Sequence, residues 1–188
     1  MRLSVHPSQF RNVFTSVKDS ATFAESAALV AAGGNPVEML QAMALRPGLL
    51  KMMAATGEAI YPGGIIERSV KEMIILEASR TNACQFCTES HIAIVRMMGL
   101  TPVGESPLSL LDDLSRLSRR ESLAVEYTRA AQADSNRVPA ELFERLRAAF
   151  TDAEIVELTA MIGLISMLNI FNNCLQVTYH GEYDQPGA

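Results

Sequence analysis

The stretch EMIILEASRTNACQFCTESH, residues 72–91, carries the pattern that decides the fold class of this chain. Apolar residues recur at helical spacing on both sides of Thr81-Asn82, and Asn favours the capping position at a helix start. We therefore predict one helix that contains Glu72 and a second helix, capped by Asn82, that runs to Gly99. The turn between them would fold the two helices together and bring Glu72 toward the cysteines.

The second of these helices places two thiols and an imidazole on one face. Cys84, Cys87 and His91 are three and four residues apart, and at 100° per residue they fall within a sector of about 60°. The same spacing brings the two cysteine Cα atoms to about 5 Å, which a disulfide accepts. A helix start favours a thiolate, and His91 can exchange a proton with it. The segment can thus hold a dithiol, a disulfide and a base, as a thiol redox cycle requires.

Glu72 supplies a carboxylate on the preceding helix. Its neighbours Ile65, Ile75 and Leu76 are apolar, so we predict a raised pKa for Glu72, which suits proton transfer. Spacing alone equally allows an ion pair with Arg68, four residues earlier, on a solvated face. Both interpretations remain open from the residues alone.

The rest of the chain is also helical in pattern, and we predict an all-α fold of about eight or nine helices. Ala, Leu, Met, Glu and Arg dominate, while β-branched runs at period two are missing. Pro36 suits the first turn of a helix, and capping-box patterns begin at Ser118 and Thr151. Because no stretch resembles a long flexible linker, residues 1–188 are interpreted as one domain.

Composition excludes several classes of protein. The 188 residues are 48% apolar and 20% charged, which is enough to bury a core. The formal net charge of −5 argues against a nucleic-acid surface. The beginning of the chain lacks the apolar core of a signal peptide, and the apolar run Leu158–Phe171 is shorter than the roughly 18 residues of a membrane span. Three cysteines are too few for a disulfide scaffold. We expect a cytoplasmic protein without nucleic-acid or membrane partners.

The polar positions of residues 72–91 recur near the end of the chain. The same spacing of 12, 15 and 19 residues is repeated by Glu157, Asn169, Asn172 and Gln176. A duplicated helical hairpin that keeps the reactive residues in only one copy would produce this repeated spacing, and so would chance. Buried amides need partners, so we expect the asparagines to form hydrogen bonds within or between subunits, or to take part in the site. We expect Cys174 to be a buried thiol that packs as a small hydrophobe.

Three other polar residues are expected at the surface. We expect Glu77 to be a surface charge, and His6 and His180, near the ends of the chain, to be exposed.

The full spacing resembles that of a known family. Glu72, eleven residues, Cys84-Gln85-Phe86-Cys87, three residues and His91 are similar to the AhpD-type alkylhydroperoxidases of the carboxymuconolactone decarboxylase superfamily. The resemblance extends more weakly over most of the chain, including residues 121–177. It implies an all-α, AhpD-like fold and a homo-oligomer, either a trimer or a hexamer built from trimers.

The resemblance also implies roles for the site residues. Cys87 would attack a hydroperoxide and become a sulfenic acid, and Cys84 would resolve it as a disulfide. His91 and Glu72 would relay protons. No metal, flavin or haem cofactor is implied, and an external dithiol or a protein reductant would regenerate the pair.

One residue departs from the family pattern, and two other functions stay open. Phe86 stands where some peroxidase members carry a second His, which puts the peroxidase rate and the natural oxidant in question. One alternative is a non-catalytic or metal-binding helical oligomer that uses the cysteines and His91 as ligands. The other is a lyase resembling carboxymuconolactone decarboxylase, although members with that reaction generally lack the paired cysteines.

Overall fold

The computed structural model describes residues 1–184, apart from the side chains of residues 21, 24 and 25. The described part contains ten α-helices: α1 Pro7–Thr15, α2 Ala24–Ala31, α3 Glu38–Ala44, α4 Pro47–Ala59, α5 Arg68–Thr81, α6 Gln85–Met97, α7 Leu108–Asp112, α8 Arg119–Asp134, α9 Ala140–Arg147 and α10 Asp152–Leu175. Three short 3₁₀ helices span Ala21–Phe23, Leu114–Arg116 and Ser135–Arg137. Residues 1–184 contain no strand. The predicted all-α class is confirmed, with ten helices in place of eight or nine.

Both predicted capping boxes are present. Ser118 Oγ accepts the N–H of Glu121 at 3.3 Å, and Thr151 Oγ1 accepts the N–H of Glu154 at 3.3 Å. Each glutamate accepts the N–H of its capping residue in return. The prediction that Pro36 lies in the first turn of a helix is wrong, because α3 begins two residues later.

The first compact unit comprises Met1–Gly64 and Leu175–His180, and it contains α1 to α4. Its core includes aromatic rings that pack edge to face with centroids 6.4 Å apart: Phe10 on Phe14, and Phe14 on Phe23. Glu38, in the first turn of α3, accepts the N–H of Thr178 at 2.9 Å. This bond holds the segment that follows α10 against α3.

The second compact unit comprises Ile65–Cys174 and, among the described residues, Gly181–Asp184. Its central element is α5, in which every residue from Val70 to Ser79 is buried. The apolar core joins α5 to α6, α7 and α8 through Met73, Leu76, Val95, Leu110, Leu111 and Val125. All four residues singled out from the sequence belong to this unit. The interpretation of residues 1–188 as one domain stays a prediction.

The last helix of the chain, α10, is a continuous helix of 24 residues. By length and composition it could cross a membrane, which corrects the expectation that the run Leu158–Phe171 is too short. Its buried side carries Glu157, Asn169 and Asn172, whose hydrogen-bond partners lie on α5 and α6. Paired polar groups of this kind are typical of a core helix. Large apolar side chains are exposed elsewhere on α10: Val156, Met167 and Ile170.

The repeated polar spacing does not correspond to a second hairpin. Glu157, Asn169 and Asn172 lie on one unbroken helix, whereas Glu72 and the cysteines are separated by the turn between α5 and α6. The second set therefore lacks the turn that defines the first, and a duplicated hairpin does not account for the echo.

Candidate active site

Glu72 lies in the buried middle of α5 and is 0% exposed. Its Oε2 is 2.7 Å from Nδ1 of His91 on α6, and its Oε1 accepts a hydrogen bond from Arg68 Nε at 2.5 Å. The ion pair with Arg68 is thus present, but its carboxylate is buried and not on a solvated face. The structure brings Glu72 of α5 and His91 of α6 together.

The pKa of Glu72 shifts in the direction opposite to our prediction. Burial raises the pKa of this carboxyl. The charge and hydrogen bond of His91, together with those of Arg68, lower the pKa by more than burial raises it, so that it lies below 4.5. The prediction of a raised pKa is wrong because the apolar neighbours in sequence do not reveal two polar partners in space. At neutral pH Glu72 is therefore a carboxylate that orients the His91 ring.

Three residues, Asn82, Ala83 and Cys84, form the turn that joins α5 to α6. The N–H groups of Ala83 and Cys84 donate to the carbonyls of Arg80 and Ser79 at 3.2 and 2.9 Å, which is the Schellman pattern of a helix end. Ala83 adopts φ 50°, in the left-handed region that favours glycine. As a result α6 is capped by Cys84. The prediction that Asn82 is this cap is wrong, since Asn82 ends α5 instead.

Cys84 and Cys87 are joined as a disulfide at the start of α6. Their Cα atoms are 5.4 Å apart, close to the expected separation. Cys84 Sγ accepts the backbone N–H of Cys87 at 3.4 Å, so a sulfur occupies the capping site at the positive end of the helix. The residues are only 1% and 3% exposed. The two sulfurs therefore share one helix start inside the second unit.

The buried side of α10 contributes three amides to this region. Asn169 Oδ1 accepts a hydrogen bond from Asn82 Nδ2 at 3.0 Å, and Asn173 Nδ2 donates to the carbonyl of Asn82 at 2.9 Å. Asn172 Nδ2 donates to Cys87 Sγ at 3.2 Å. The expected hydrogen bonds of the asparagines therefore form within one chain. Two of the amides hold the turn, and the third contacts a sulfur.

His91 is the histidine of the second unit. The chain has three histidines, and both His6 and His180 belong to the first unit and are exposed, as predicted. Phe86, next to Cys87, is buried and apolar. Within residues 1–184, no group of three or more His, Cys, Asp and Glu side chains is placed to hold a metal ion.

Two predictions about residues outside the site are wrong. Cys174 is exposed, because two residues along a helix turn it about 200° away from the direction of buried Asn172. Glu77, expected to be a surface charge, is only 3% exposed because α5 is buried along this stretch. It forms ion pairs with Arg80 at 2.8 Å and Arg129 at 3.0 Å.

Comparison with known proteins gives the family. Residues 47–103 match the Carboxymuconolactone decarboxylase family. The chain is 30% identical over 105 residues to the uncharacterised protein YdfG of Bacillus subtilis, a match that covers 55% of this chain and 71% of YdfG. The chain belongs to the AhpD/carboxymuconolactone decarboxylase superfamily. A second relative in curated sequences, the uncharacterised protein YnjA of Escherichia coli, is 28% identical over 114 residues, which cover 60% of this chain and 62% of YnjA.

Solved structures share the fold. An uncharacterised peroxidase-related protein with an alkylhydroperoxidase AhpD core, from Ralstonia eutropha, gives a TM-score of 0.73 at 22% identity. The match covers 97% of this chain and 93% of that one. A peroxidase-related protein from Silicibacter gives 0.71 at 19% identity with the same coverage. A protein of unknown function from Agrobacterium tumefaciens, for which a role in antioxidant defence as an AhpD protein has been suggested, gives 0.61 at 27% identity over 71% of this chain and 92% of its own. The AhpD-like fold implied by the cysteine spacing is confirmed.

Proposed function

We propose that this member of the AhpD/carboxymuconolactone decarboxylase superfamily is a thiol-dependent peroxidase that reduces hydroperoxides through the dithiol of Cys84 and Cys87. The observation that carries the proposal is the geometry of the pair, two cysteines at one helix start, joined as a disulfide, on the helix that carries His91. The buried Glu72–His91 pair supports it by providing a polar couple for proton transfer. Peroxidase-related proteins share the fold.

The proposed reaction begins at the Cys87 thiolate. Its sulfur attacks one oxygen of a hydroperoxide, so that an S–O bond forms and the O–O bond breaks. The leaving alkoxide takes a proton relayed by His91 and departs as an alcohol, while Cys87 becomes a sulfenic acid. Cys84 sulfur then attacks the sulfur of Cys87, the S–S bond forms, and the hydroxyl leaves with the thiol proton as water. An external dithiol or a protein reductant returns two electrons and two protons to the disulfide by exchange.

Glu72 and His91 act together in this scheme. Glu72 lies against Nδ1 of His91, which assigns the other ring nitrogen to proton exchange at the cysteines. Phe86 supplies no second base beside Cys87, so the relay that we propose runs through His91 alone. Because Cys84 and Cys87 are at most 3% exposed, the arrangement favours a small hydroperoxide as the oxidant.

The partners and the setting are also proposals. A dithiol that must be reduced again fits the reducing environment of the cytoplasm. We further propose that the chain forms a homo-oligomer, a trimer or a hexamer of trimers. The exposed apolar side chains of α10, among them Val156 at 69% and Ile170 at 65%, support a contact between subunits. Light scattering coupled to size-exclusion chromatography measures the subunit number.

Peroxide turnover by cysteine variants tests the proposed function. Reduced wild-type protein should consume a small hydroperoxide, hydrogen peroxide or ethyl hydroperoxide, and form one disulfide, between Cys84 and Cys87, in peptide maps. Cys87→Ser should abolish turnover, and Cys84→Ser should trap a sulfenic acid on Cys87 that dimedone labels. Cys174→Ser, which alters the exposed thiol, is the control and should keep full turnover.

Three outcomes would overturn the assignment. Unchanged turnover in Cys87→Ser would show that this sulfur is not the nucleophile. Stoichiometric zinc in purified protein, together with thiols protected from alkylation, would support the metal-binding oligomer. Activity on a small lactone acid that is indifferent to thiol blocking would support the lyase.

A further inference from the structure

The sulfur of Cys87 has a hydrogen-bond donor that does not belong to its own helix. Asn172, on α10, donates from Nδ2 to Cys87 Sγ at 3.2 Å. Asn172 is 2% exposed and Cys87 is 3% exposed. A negative charge on this buried sulfur would have no water to solvate it. The amide N–H of Asn172 is placed to donate a hydrogen bond to that charge instead.

The neighbouring amides of α10 have different partners, which sets Asn172 apart. Asn169 Nδ2 donates to Ser79 Oγ at 3.1 Å, and Asn173 Nδ2 donates to the carbonyl of Asn82 at 2.9 Å. These two bonds fasten α10 to the end of α5 and its turn. Because Asn172 lies between Asn169 and Asn173 along α10, these bonds hold it beside Cys87. Its position is therefore fixed by contacts that do not involve the sulfur.

The two sulfurs have different kinds of donor. Cys84 Sγ accepts the backbone N–H of Cys87, 3.4 Å away, a donor that is present whatever side chains surround it. Cys87 Sγ accepts a side-chain N–H from another helix. A thiolate accepts hydrogen bonds far more strongly than a thiol, so a fixed donor favours ionisation of the sulfur it contacts. The donor on Cys87 is therefore one that the chain can tune through a single side chain.

We propose that Asn172 is a catalytic residue of this site, whose amide N–H stabilises the thiolate of Cys87. This role of Asn172 rests on the proposed function, in which Cys87 is the sulfur that attacks the hydroperoxide. During attack the sulfur loses negative charge to the departing oxygen, and the same N–H keeps the sulfur in place for Cys84. The titratable groups of the site on the same and the preceding helix are His91 on α6 and Glu72 on α5, which pair with each other, while Arg68 also pairs with Glu72. Asn172 adds a neutral donor from α10.

The test is a thiol titration that needs no hydroperoxide. In a Cys84→Ser, Cys174→Ser background, Cys87 is the remaining thiol of the chain, and serine preserves the cap of α6. Thiolate absorbance at 240 nm against pH gives the pKa of Cys87. Asn172→Leu, of similar size but without the donor, should raise this pKa by about one unit and slow alkylation near neutral pH by up to about tenfold.

The matched control is Asn12→Leu, the same change on an exposed asparagine of the first unit, which should leave the pKa of Cys87 unshifted. Asn172→Ala removes the donor without adding bulk and should raise the pKa as well, and circular dichroism checks that each variant is folded. An equal pKa of Cys87 with and without Asn172→Ala in the Cys84→Ser, Cys174→Ser background, or an equal shift in Asn12→Leu, would overturn the inference. A shift in Asn172→Leu without any hydroperoxide consumption by the wild type would sustain the inference and overturn the proposed function. Turnover without the shift would do the reverse.

Discussion

Replacing Glu72 by Gln keeps the shape of the side chain and removes its charge. Glu72 is 0% exposed and lies 2.7 Å from His91, whose side chain is 15% exposed. A hydrogen bond to a charged group in such a place is worth about 1.5–3 kcal/mol. The bond from Arg68, which is 34% exposed, is screened by solvent and adds about 0.5–1 kcal/mol. We expect Glu72→Gln to lower the free energy of unfolding by about 2–4 kcal/mol, or Tm by about 10 °C.

The same contacts make stability depend on pH in a defined direction. The pKa of Glu72 lies below 4.5 in the folded chain, under the influence of burial, which raises it, and of His91 and Arg68, which lower it more. The Glu72 carboxylate therefore binds a proton more tightly in the unfolded chain than in the folded chain. Its contribution to stability is complete above pH 4.5 and is lost as the pH falls through the pKa of the folded chain. Because Gln does not titrate, the difference in free energy of unfolding between wild type and Glu72→Gln should shrink in acid.

Urea unfolding of the oxidised proteins, at neutral pH and in steps from pH 5 to about pH 3, measures this difference. Glu77→Gln is the matched control, since it changes the same residue type on α5 next to Arg80 and Arg129. Both variants should lose stability, but Glu72→Gln alone should lose peroxide turnover, by about a hundredfold. A stability difference for Glu72→Gln that stays constant down to pH 3, or turnover equal to that of Glu77→Gln, would refute the reasoning.

Two further substitutions probe how the site is held in place. Ala83→Gly should stabilise the chain by about 0.5–1 kcal/mol, because Ala83 has φ 50° and Gly relieves the left-handed strain; a Tm below that of the wild type in thermal unfolding would contradict this. Lys71→Met should cost about 3 kcal/mol in urea unfolding, since it leaves the carboxylate of Glu157, 2.7 Å from Lys71 Nζ, without its buried cation. The double variant Lys71→Met, Glu157→Gln should recover part of this loss, because Gln carries no charge and its single carbonyl oxygen still accepts one of the two backbone N–H groups, of Ile65 and Ile66, that bond to Glu157; no recovery would argue against an uncompensated charge.

Features set by neighbours along the chain could be predicted from the sequence. The spacing of Cys84, Cys87 and His91 fixes their common helix face, and the two cysteine Cα atoms lie 5.4 Å apart as that spacing requires. The capping boxes at Ser118 and Thr151 involve residues three apart, so the pattern alone predicts them. The start of α6 was misplaced because a left-handed alanine is rare, and no residue type in TNAC signals it.

The partner that each asparagine of α10 takes could not be predicted, because it depends on pairing between distant parts of the chain. Asn172 is 85 positions from Cys87 along the chain. Asn169 belongs to the same repeated spacing but donates to Ser79 and not to a sulfur. The repeated spacing did single out both residues, although its explanation as a second hairpin fails. A polar residue on an otherwise apolar helix was the usable signal, since a buried amide must find a partner.

The charged residues of α5 explain why pattern reasoning misjudged this helix. The sequence left a solvated face open for Glu72 and predicted a surface position for Glu77, yet both residues and the neighbouring Lys71 are buried. Each takes its partner from a different element of the second unit: Lys71 pairs with Glu157 of α10, Glu72 with His91 of α6, and Glu77 with Arg129 of α8. A shift in the packing of any of these helices would break one of these pairs, and the cost is largest for the buried Lys71–Glu157 pair, about 3–5 kcal/mol. The ion pairs of α5 therefore fix the register of the helices that carry the imidazole, the sulfurs and the amide, and the precision of the site follows from that register.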